Sequence, residues 1–402
     1  MKNIKRVQYL NKLKAFKDHE IIKVVTGIRR SGKSTLLMQF QEYLRTIGVE
    51  DDQIVSINFE DFDFIDITDS RKLYEYIKPL LIEGKPMYLF FDEIQHVNDF
   101  QRIIDSLYIK PNIDIYITGS NAQLLSGELA TLLSGRYVEI SILPLSFKEY
   151  WETNGESFDG RDRCFAQYRQ NGGFPYVTRF GNDQQSIHDY ISGIFDTVIL
   201  KDIVTRRGFT DVMMLQSVIR FVYDNIGNIL STKKIADTMT SDGRKIDVKT
   251  VERYLQSLLD CFVVYRAKRY DIKGKQFLRT LDKYYAVDMG IRSFLFGNRH
   301  RDIGHELENI VYLELVRRGH NVYIGKYDNL EVDFVTNADN GVVYYQVSET
   351  VRGESTLARE LAPLKSINDS YPKILLTMDI NPPIDHNGIR QINVVDWLLG
   401  DF

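Results

Sequence analysis

Over the first 150 positions, apolar residues gather in short runs separated by longer, helix-like stretches. Ile21, Ile22, Val24 and Val25 form the first run, and Ile54 to Phe59, Met87 to Asp92, Ile113 to Thr118 and Tyr137 to Leu143 form the next four. Apolar runs of strand length alternating with helical segments predict a parallel α/β sheet. Beyond Phe147 the pattern turns helical as far as about Thr210, with a break at Gly172-Gly173-Phe174-Pro175 and a close at Leu200-Lys201-Asp202-Ile203-Val204. Ser231 to Ala236 then opens a short capped helix, and Val248 to Leu259 predicts a second that carries Lys249 and Arg253. Cys261 to Tyr270 and Tyr284 to Val287 read as strands. Helix, turn, helix and hairpin in that order predict a winged helix. From about Asp302 another α/β pattern begins: a helix bearing Gly304, Glu308 and Asn309 and running to Arg318, a strand over Leu330 to Val335, and another over Val342 to Val347.

A chain of 402 residues is too long for one ordinary core, and 44% hydrophobic residues suffice to fill several. The net charge of -4 denies it a general polyanion-binding surface, so any nucleic-acid contact must come from a local patch. Such a patch is present: Arg266, Lys268, Arg269, Lys273, Lys275, Arg279 and Lys283 crowd the hairpin region. A basic wing on DNA and a packing or oligomerisation module with a solvated basic surface both fit this composition. Cys164 and Cys261 lack metal-site spacing and read as buried thiols in a reducing compartment. No apolar run approaches the roughly 18 residues of a membrane span and the basic start is not a secretion signal, so a cytoplasmic location is expected.

The junction between the first strand and the next helix reads Gly27-Ile28-Arg29-Arg30-Ser31-Gly32-Lys33-Ser34-Thr35. This is a complete phosphate-binding loop. Glycines let the backbone curl closely enough to aim N–H groups at a triphosphate, and the helix N-terminus adds positive potential. Lys33 is placed to reach the β- and γ-phosphates, and Ser34 offers a hydroxyl to Mg²⁺. Gly27, Arg30, Ser31, Gly32, Lys33, Ser34 and Thr35 are therefore the expected ATP-binding residues. The absence of an Asn-Lys-x-Asp tetrapeptide after a strand favours adenine over guanine.

The run Tyr88-Leu89-Phe90-Phe91-Asp92-Glu93 places two carboxylates at the C-terminal edge of a central strand, where such sheets hold ligands. Asp92 is expected to hold Mg²⁺, and Glu93 to orient or deprotonate the attacking water. Two more catalytic candidates come from the following elements. In Thr118-Gly119-Ser120-Asn121, Ser120 or Asn121 either senses the γ-phosphate or caps the next helix. Arg136, after Leu133-Ser134-Gly135 and before an edge strand, either reaches a neighbouring subunit's γ-phosphate or is a surface arginine behind a C-capping glycine.

Taken together, Gly27 to Thr35, Phe91-Asp92-Glu93-Ile94-Gln95, Thr118 to Asn121, Gly135-Arg136 and Pro144-Leu145-Ser146-Phe147 with Glu149 resemble the AAA+ branch of P-loop ATPases. The resemblance is to a prokaryotic group in which the core is followed by a helical lid, a winged helix and a restriction-endonuclease-like domain. It implies a core over 1–146, a lid over 147–210, a winged helix over 211–295 and a PD-(D/E)XK nuclease-like domain over 296–402. In that last domain, Glu308, Asp333 and Gln346-Val347-Ser348 follow the nuclease order, with Gln346 in place of the third acid and Ser348 in place of the lysine. Gln supplies no carboxylate to a metal and Ser no cation, so the domain is expected to have lost cleavage. The leading expectation is a Mg²⁺-dependent ATPase that moves its C-terminal domains on DNA. Its rivals are an ATP-dependent switch that releases a protein partner and, more weakly supported, an active nuclease; a homo-oligomer is compatible with each.

Overall fold

The computed structural model describes residues 4–121, 135–200, 202–204, 209–278, 281–297, 302–338, 341–381 and 383–401. The helix expected to end at Ser134, and Arg279 of the basic patch, lie outside them. The chain divides into two compact units: Met1–Leu143 with Asp260–Phe262, and Pro144–Leu259 with Val263–Phe402.

In the first unit, strands β1 (Ile22–Thr26), β2 (Ile54–Asn58), β3 (Met87–Asp92), β4 (Ile113–Gly119) and β5 (Tyr137–Ser141) form one sheet in the order β2-β3-β4-β1-β5. Every neighbouring pair is parallel. The period of two along a strand sends alternate side chains to opposite faces, and both faces are covered. Val24, Leu89, Phe91, Ile115 and Ile117 pack on one side with helices α3 (Ser70–Ile77) and α4 (Phe100–Tyr108). Val25, Tyr88, Phe90 and Tyr116 pack on the other with α1 (Val7–Ala15) and α2 (Lys33–Thr46). β1 and β3 are buried along their whole length, which is why they read as unbroken apolar runs. Each fully buried Leu or Phe in these layers contributes about 1.5–3 kcal/mol. The strand order reverses beside β1, so the loop after it opens at the crevice where such sheets bind ligands.

The second unit begins with α5 (Phe147–Asn154), α6 (Arg161–Asn171) and α7 (Gln184–Gly193). The stretch from Pro144 to Glu149 now has a physical reason. Ser146 Oγ accepts the Glu149 N–H at 3.0 Å and the Glu149 carboxylate accepts the Ser146 N–H at 2.9 Å, a reciprocal N-terminal cap. Arg317 donates to the Pro144 carbonyl at 2.8 Å. Next come α8 (Val212–Asp224), β6 (Ile229–Leu230), α9 (Thr232–Ser241), α10 (Val248–Asp260), β7 (Val264–Ala267), β8 (Arg269–Asp271), β9 (Gln276–Phe277) and β10 (Asp282–Ala286). β6, β10 and β7 make a three-stranded antiparallel sheet in that order.

The single strand expected over Cys261 to Tyr270 is a correction: the chain there forms two strands in two different sheets. β7 stays with β10, whereas β8 and β9 join the edge of the C-terminal sheet, because the Ile324 N–H bonds the Lys268 carbonyl at 3.0 Å and the Ile272 N–H bonds the Lys326 carbonyl at 2.9 Å. After α11 (Met289–Phe296), the remainder runs α12 (Ile303–Arg317), β11 (Asn321–Tyr327), β12 (Leu330–Ala338), β13 (Gly341–Ser348), α13 (Glu354–Ser366), β14 (Lys373–Thr377), β15 (Ile384–Asp385), β16 (Ile389–Asn393) and α14 (Val394–Leu399). Its sheet has eight strands in the order β15-β16-β14-β13-β12-β11-β8-β9. Cys164 and Cys261 are buried thiols, and burial pushes the Cys164 thiol up to about 12.

Candidate nucleotide-binding site

β1 ends at Thr26 and the chain turns at once. Gly27 has φ +142°, and a Cβ there would lie 2.2 Å from the Ile142 carbonyl oxygen, so the close approach of two backbones excludes any other residue. Gly32, at φ +99°, directly precedes Lys33, the first residue of α2. Arg30 is exposed and holds a left-handed conformation at φ +69°, while the Arg29 guanidinium pairs with Glu60. Ser31 is fully buried, and its hydroxyl has no hydrogen-bond partner among the described residues. Ser34 is exposed at the helix start and bonds the Asp92 carboxylate; Thr35 is half-buried.

The Lys33 ammonium is buried, 3.1 Å from the Gly27 carbonyl, 3.4 Å from that of Ile28 and 3.4 Å from Glu93 Oε1. Thr118, at the end of β4, joins the two carboxylate residues: its hydroxyl donates to Asp92 Oδ1 at 2.5 Å and accepts the Glu93 N–H at 2.8 Å. Ser120 Oγ donates to Glu93 Oε2 at 3.1 Å, and Gln95 donates to the same oxygen. Glu93 sits at φ +55°, ψ +46°, a left-handed backbone that costs a non-glycine residue energy and concentrates at working sites.

The electrostatics set the two acids apart. Burial pushes the Asp92 carboxyl up, and the Ser34 and Thr118 hydroxyls recover only part of the shift, so it ends above its ordinary value. Burial is also the largest influence on Glu93 and acts to raise it, but the Lys33 charge, the Gln95 and Ser120 hydrogen bonds and the Arg29 charge together outweigh it and hold this carboxyl below its ordinary value. Burial lowers the Lys33 ammonium, against the pull of Glu93 and Asp92.

The structure thus brings Gly27, Ser31, Gly32, Lys33, Ser34, Asp92, Glu93 and Ser120 into one crevice. Asn121 is buried directly after Ser120. Arg136 does not join them. It precedes β5, whose first residue is in register with Ile22 at the start of β1, so it lies at the opposite edge of the sheet from the loop. There it pairs with Asp105 at 2.7 Å, its guanidinium 5.3 Å from the Tyr108 ring centroid.

Two contributions were not anticipated. Thr118 stood at the strand end beside the acids, and a hydroxyl in that place was its only signal. Arg6 had none: buried at 2% exposure, it donates to the Ser31 carbonyl at 2.9 Å and the Leu143 carbonyl at 2.7 Å, bracing the loop from below.

In the second unit, Glu308, Asp333 and Gln346 line one cleft of about 1000 Å³. The basic patch is less uniform than the sequence implied, which is a second correction. Lys283 is buried and paired with Glu308 and Glu331 because its strand, β10, lies against α12 and β12. Lys268 and Lys275 are exposed, Arg266 lies 3.8 Å from Asp282, and Lys273 lies 3.0 Å from Asp328. Among the described residues, no helix is long and apolar enough to cross a membrane.

A five-stranded parallel sheet with this order, a phosphate loop at its switch point and paired carboxylates on the adjacent strand end define an ATP-binding P-loop ATPase of the AAA type. Residues 19–151 match the family described as AAA domain, and residues 162–302 match a domain of unknown function (DUF8612). An uncharacterized protein of Haemophilus influenzae is 42% identical over 98% of both chains, and an uncharacterized protein of Methanocaldococcus jannaschii, MJ1544, is 30% identical over 85% of this chain and 78% of its own. The chain belongs to the family that these two proteins share, one built on an AAA domain. Among solved structures, the Walker-type ATPase PABY2304 of Pyrococcus abyssi superposes with a TM-score of 0.49 at 15% identity, over 73% of this chain and 95% of that one.

Proposed function

We propose that the protein hydrolyses ATP in the β1 crevice and couples the cycle to movement of its C-terminal domains on DNA. The observation that carries the first half is the arrangement of Lys33, Asp92 and Glu93 around one point, with Thr118 fixing both acids. In this reading, the loop N–H groups and Lys33 bind the β- and γ-phosphates, Gly27 allowing the close approach. The buried, unpartnered Ser31 hydroxyl and the Ser34–Asp92 pair suit a phosphate–Mg²⁺ ligand. Ser34 and Asp92 would hold Mg²⁺, which supplies charge neutralisation on the phosphate oxygens. Glu93, kept ionised by Lys33, accepts a proton from the attacking water, with Ser120 and Gln95 orienting its carboxylate. Asn121 is the candidate for contact with the γ-phosphate.

Arg136 is remote from its own crevice, so its catalytic role requires a second copy of the chain. The Arg136→Ala and Lys33→Ala chains, mixed, then recover turnover that neither has alone; no recovery removes Arg136 from the mechanism.

For the second half, the order α8, β6, α9, α10, β7, β10 with the sheet order β6-β10-β7 supports reading this part as a winged helix. Lys249 and Arg253 are exposed on α10, and Lys268 and Lys275 near the hairpin. Turnover measured with and without duplex and single-stranded DNA tests the reading: stimulation supports it, and indifference favours a switch acting on a protein partner.

A further inference from the structure

A nuclease metal centre needs carboxylates converging on a point that a dication can enter. In the C-terminal cleft that point has an occupant from the chain itself. Lys283, on β10, places its ammonium 3.0 Å from Glu308 Oε1 on α12 and 2.7 Å from Glu331 Oε1 on β12, with its side chain only 5% exposed. Other groups of the cluster are also engaged. Tyr285 donates its hydroxyl to the same Glu308 oxygen at 2.7 Å. Asp333 Oδ2 accepts the Val347 N–H at 2.8 Å. Gln346 accepts the Asp333 N–H through Oε1 at 3.4 Å and donates through Nε2 to Glu360 at 3.1 Å, so both ends of the amide that replaces the third acid are used in holding the sheet and α13 together. Among the described residues no three His, Cys, Asp or Glu side chains converge as metal ligands.

We propose that Lys283 is the resident cation of this cluster, standing where the resemblance to metal-dependent nucleases calls for a divalent ion, so that the C-terminal domain recruits none. The physical logic is charge balance. Buried carboxylates need a cation, and Glu308 and Asp333, both buried beside Gln346, need one. An ammonium held at hydrogen-bond distance supplies it and repels a dication from the same point. Lys283 is thus not a substitute for the family's lysine, whose place Ser348 takes: it closes the acids and ties β10 to α12 and β12.

The test is Mn²⁺ binding followed by electron paramagnetic resonance on the full chain freed of nucleotide. The natural protein, Glu308→Gln and Asp333→Asn should bind Mn²⁺ alike. Lys283→Met should gain one site at least tenfold tighter than any in the natural protein, and Lys283→Met with Glu308→Gln should lose it again. A folded Lys283→Met that gains no site overturns the proposal. So does a fall in Mn²⁺ bound by the natural chain on Glu308→Gln or Asp333→Asn, and this comparison decides the matter even where Lys283→Met does not fold.

Discussion

The ammonium of Lys33 lies 3.4 Å from a carboxylate oxygen of Glu93, and both side chains are buried. The pair links the residue that meets the phosphates to the residue that meets the water, so replacing either changes the other. Lys33→Ala should abolish ATP binding, since the backbone donors alone cannot balance the β/γ charge, and should let burial raise the Glu93 carboxyl. Glu93→Gln releases Lys33 from its partner and keeps Asp92 in place. ATP affinity should therefore be unchanged or higher, while turnover falls by about 10²–10⁴. Equilibrium binding of a fluorescent ATP analogue beside steady-state turnover checks both; parent-like turnover in Glu93→Gln would remove it as the base.

The Arg6 guanidinium joins the loop to the end of the first unit through the Ser31 and Leu143 carbonyls. Arg6→Ala leaves two buried carbonyls without this donor, each costing about 1–3 kcal/mol. ATP affinity should fall about tenfold or more, with kcat less affected than KM because no reacting atom is touched. Arg6→Lys, which cannot serve both carbonyls in the same fork, should recover only part. Unchanged affinity in Arg6→Ala would show that the loop holds its shape without the brace.

What could be read in advance follows from how local each cause is. The five strands were legible because a strand buried on both faces is an apolar run, and the loop because its glycines, lysine and serine act through contiguous backbone. Asp92 and Glu93 were legible from their place at the end of such a run. Arg6 was not, since its partners lie 25 and 137 positions away and a lone arginine before a helix carries no pattern. The same holds for Lys283. As composition it belonged to a basic patch, and only the packing of β10 against α12 and β12 shows that its charge is spent internally. The split of Cys261 to Tyr270 into two strands likewise depended on β11, some fifty residues later, offering an edge.

The stability of the second unit should depend on pH through Asp288. Its buried carboxyl accepts N–H bonds from Gly173 at 2.6 Å and Gly290 at 2.8 Å; burial raises it to about 7, and these bonds only partly oppose the rise. A carboxyl whose folded value lies above its unfolded value makes the folded state bind the extra proton. Its contribution is full below about pH 4, falls as pH rises to about 7 at up to about 1.4 kcal/mol per unit, and is flat above. Asp288→Asn should be less stable overall, because an amide cannot accept at both oxygens. The difference between natural and variant stability, from denaturant unfolding at pH 4.5 to 7.5, should shrink as pH rises. A constant difference would show that Asp288 ionises normally.

The basic surface gives the sharpest test of the DNA reading, and the structure sorts its members. Among the described residues, Lys268 and Lys275 are exposed and form no ion pair. Arg266 and Lys273 have Asp282 and Asp328 to leave before they can meet a phosphate. Lys283 faces inward. If this surface binds duplex DNA, log affinity should fall with log salt by about 0.9 for each phosphate contacted. Neutralising Lys268 or Lys275 should each flatten that slope by about one contact, with little change in sequence preference. Arg266→Gln and Lys273→Gln should have smaller effects, since each substitution also frees an acid beside the DNA. A folded Lys283→Met should leave the slope untouched. Binding that is absent at low salt, or indifferent to Lys268 and Lys275 together, would mean that the hairpin packs rather than reads a backbone, and the ATP cycle would then act on a protein partner.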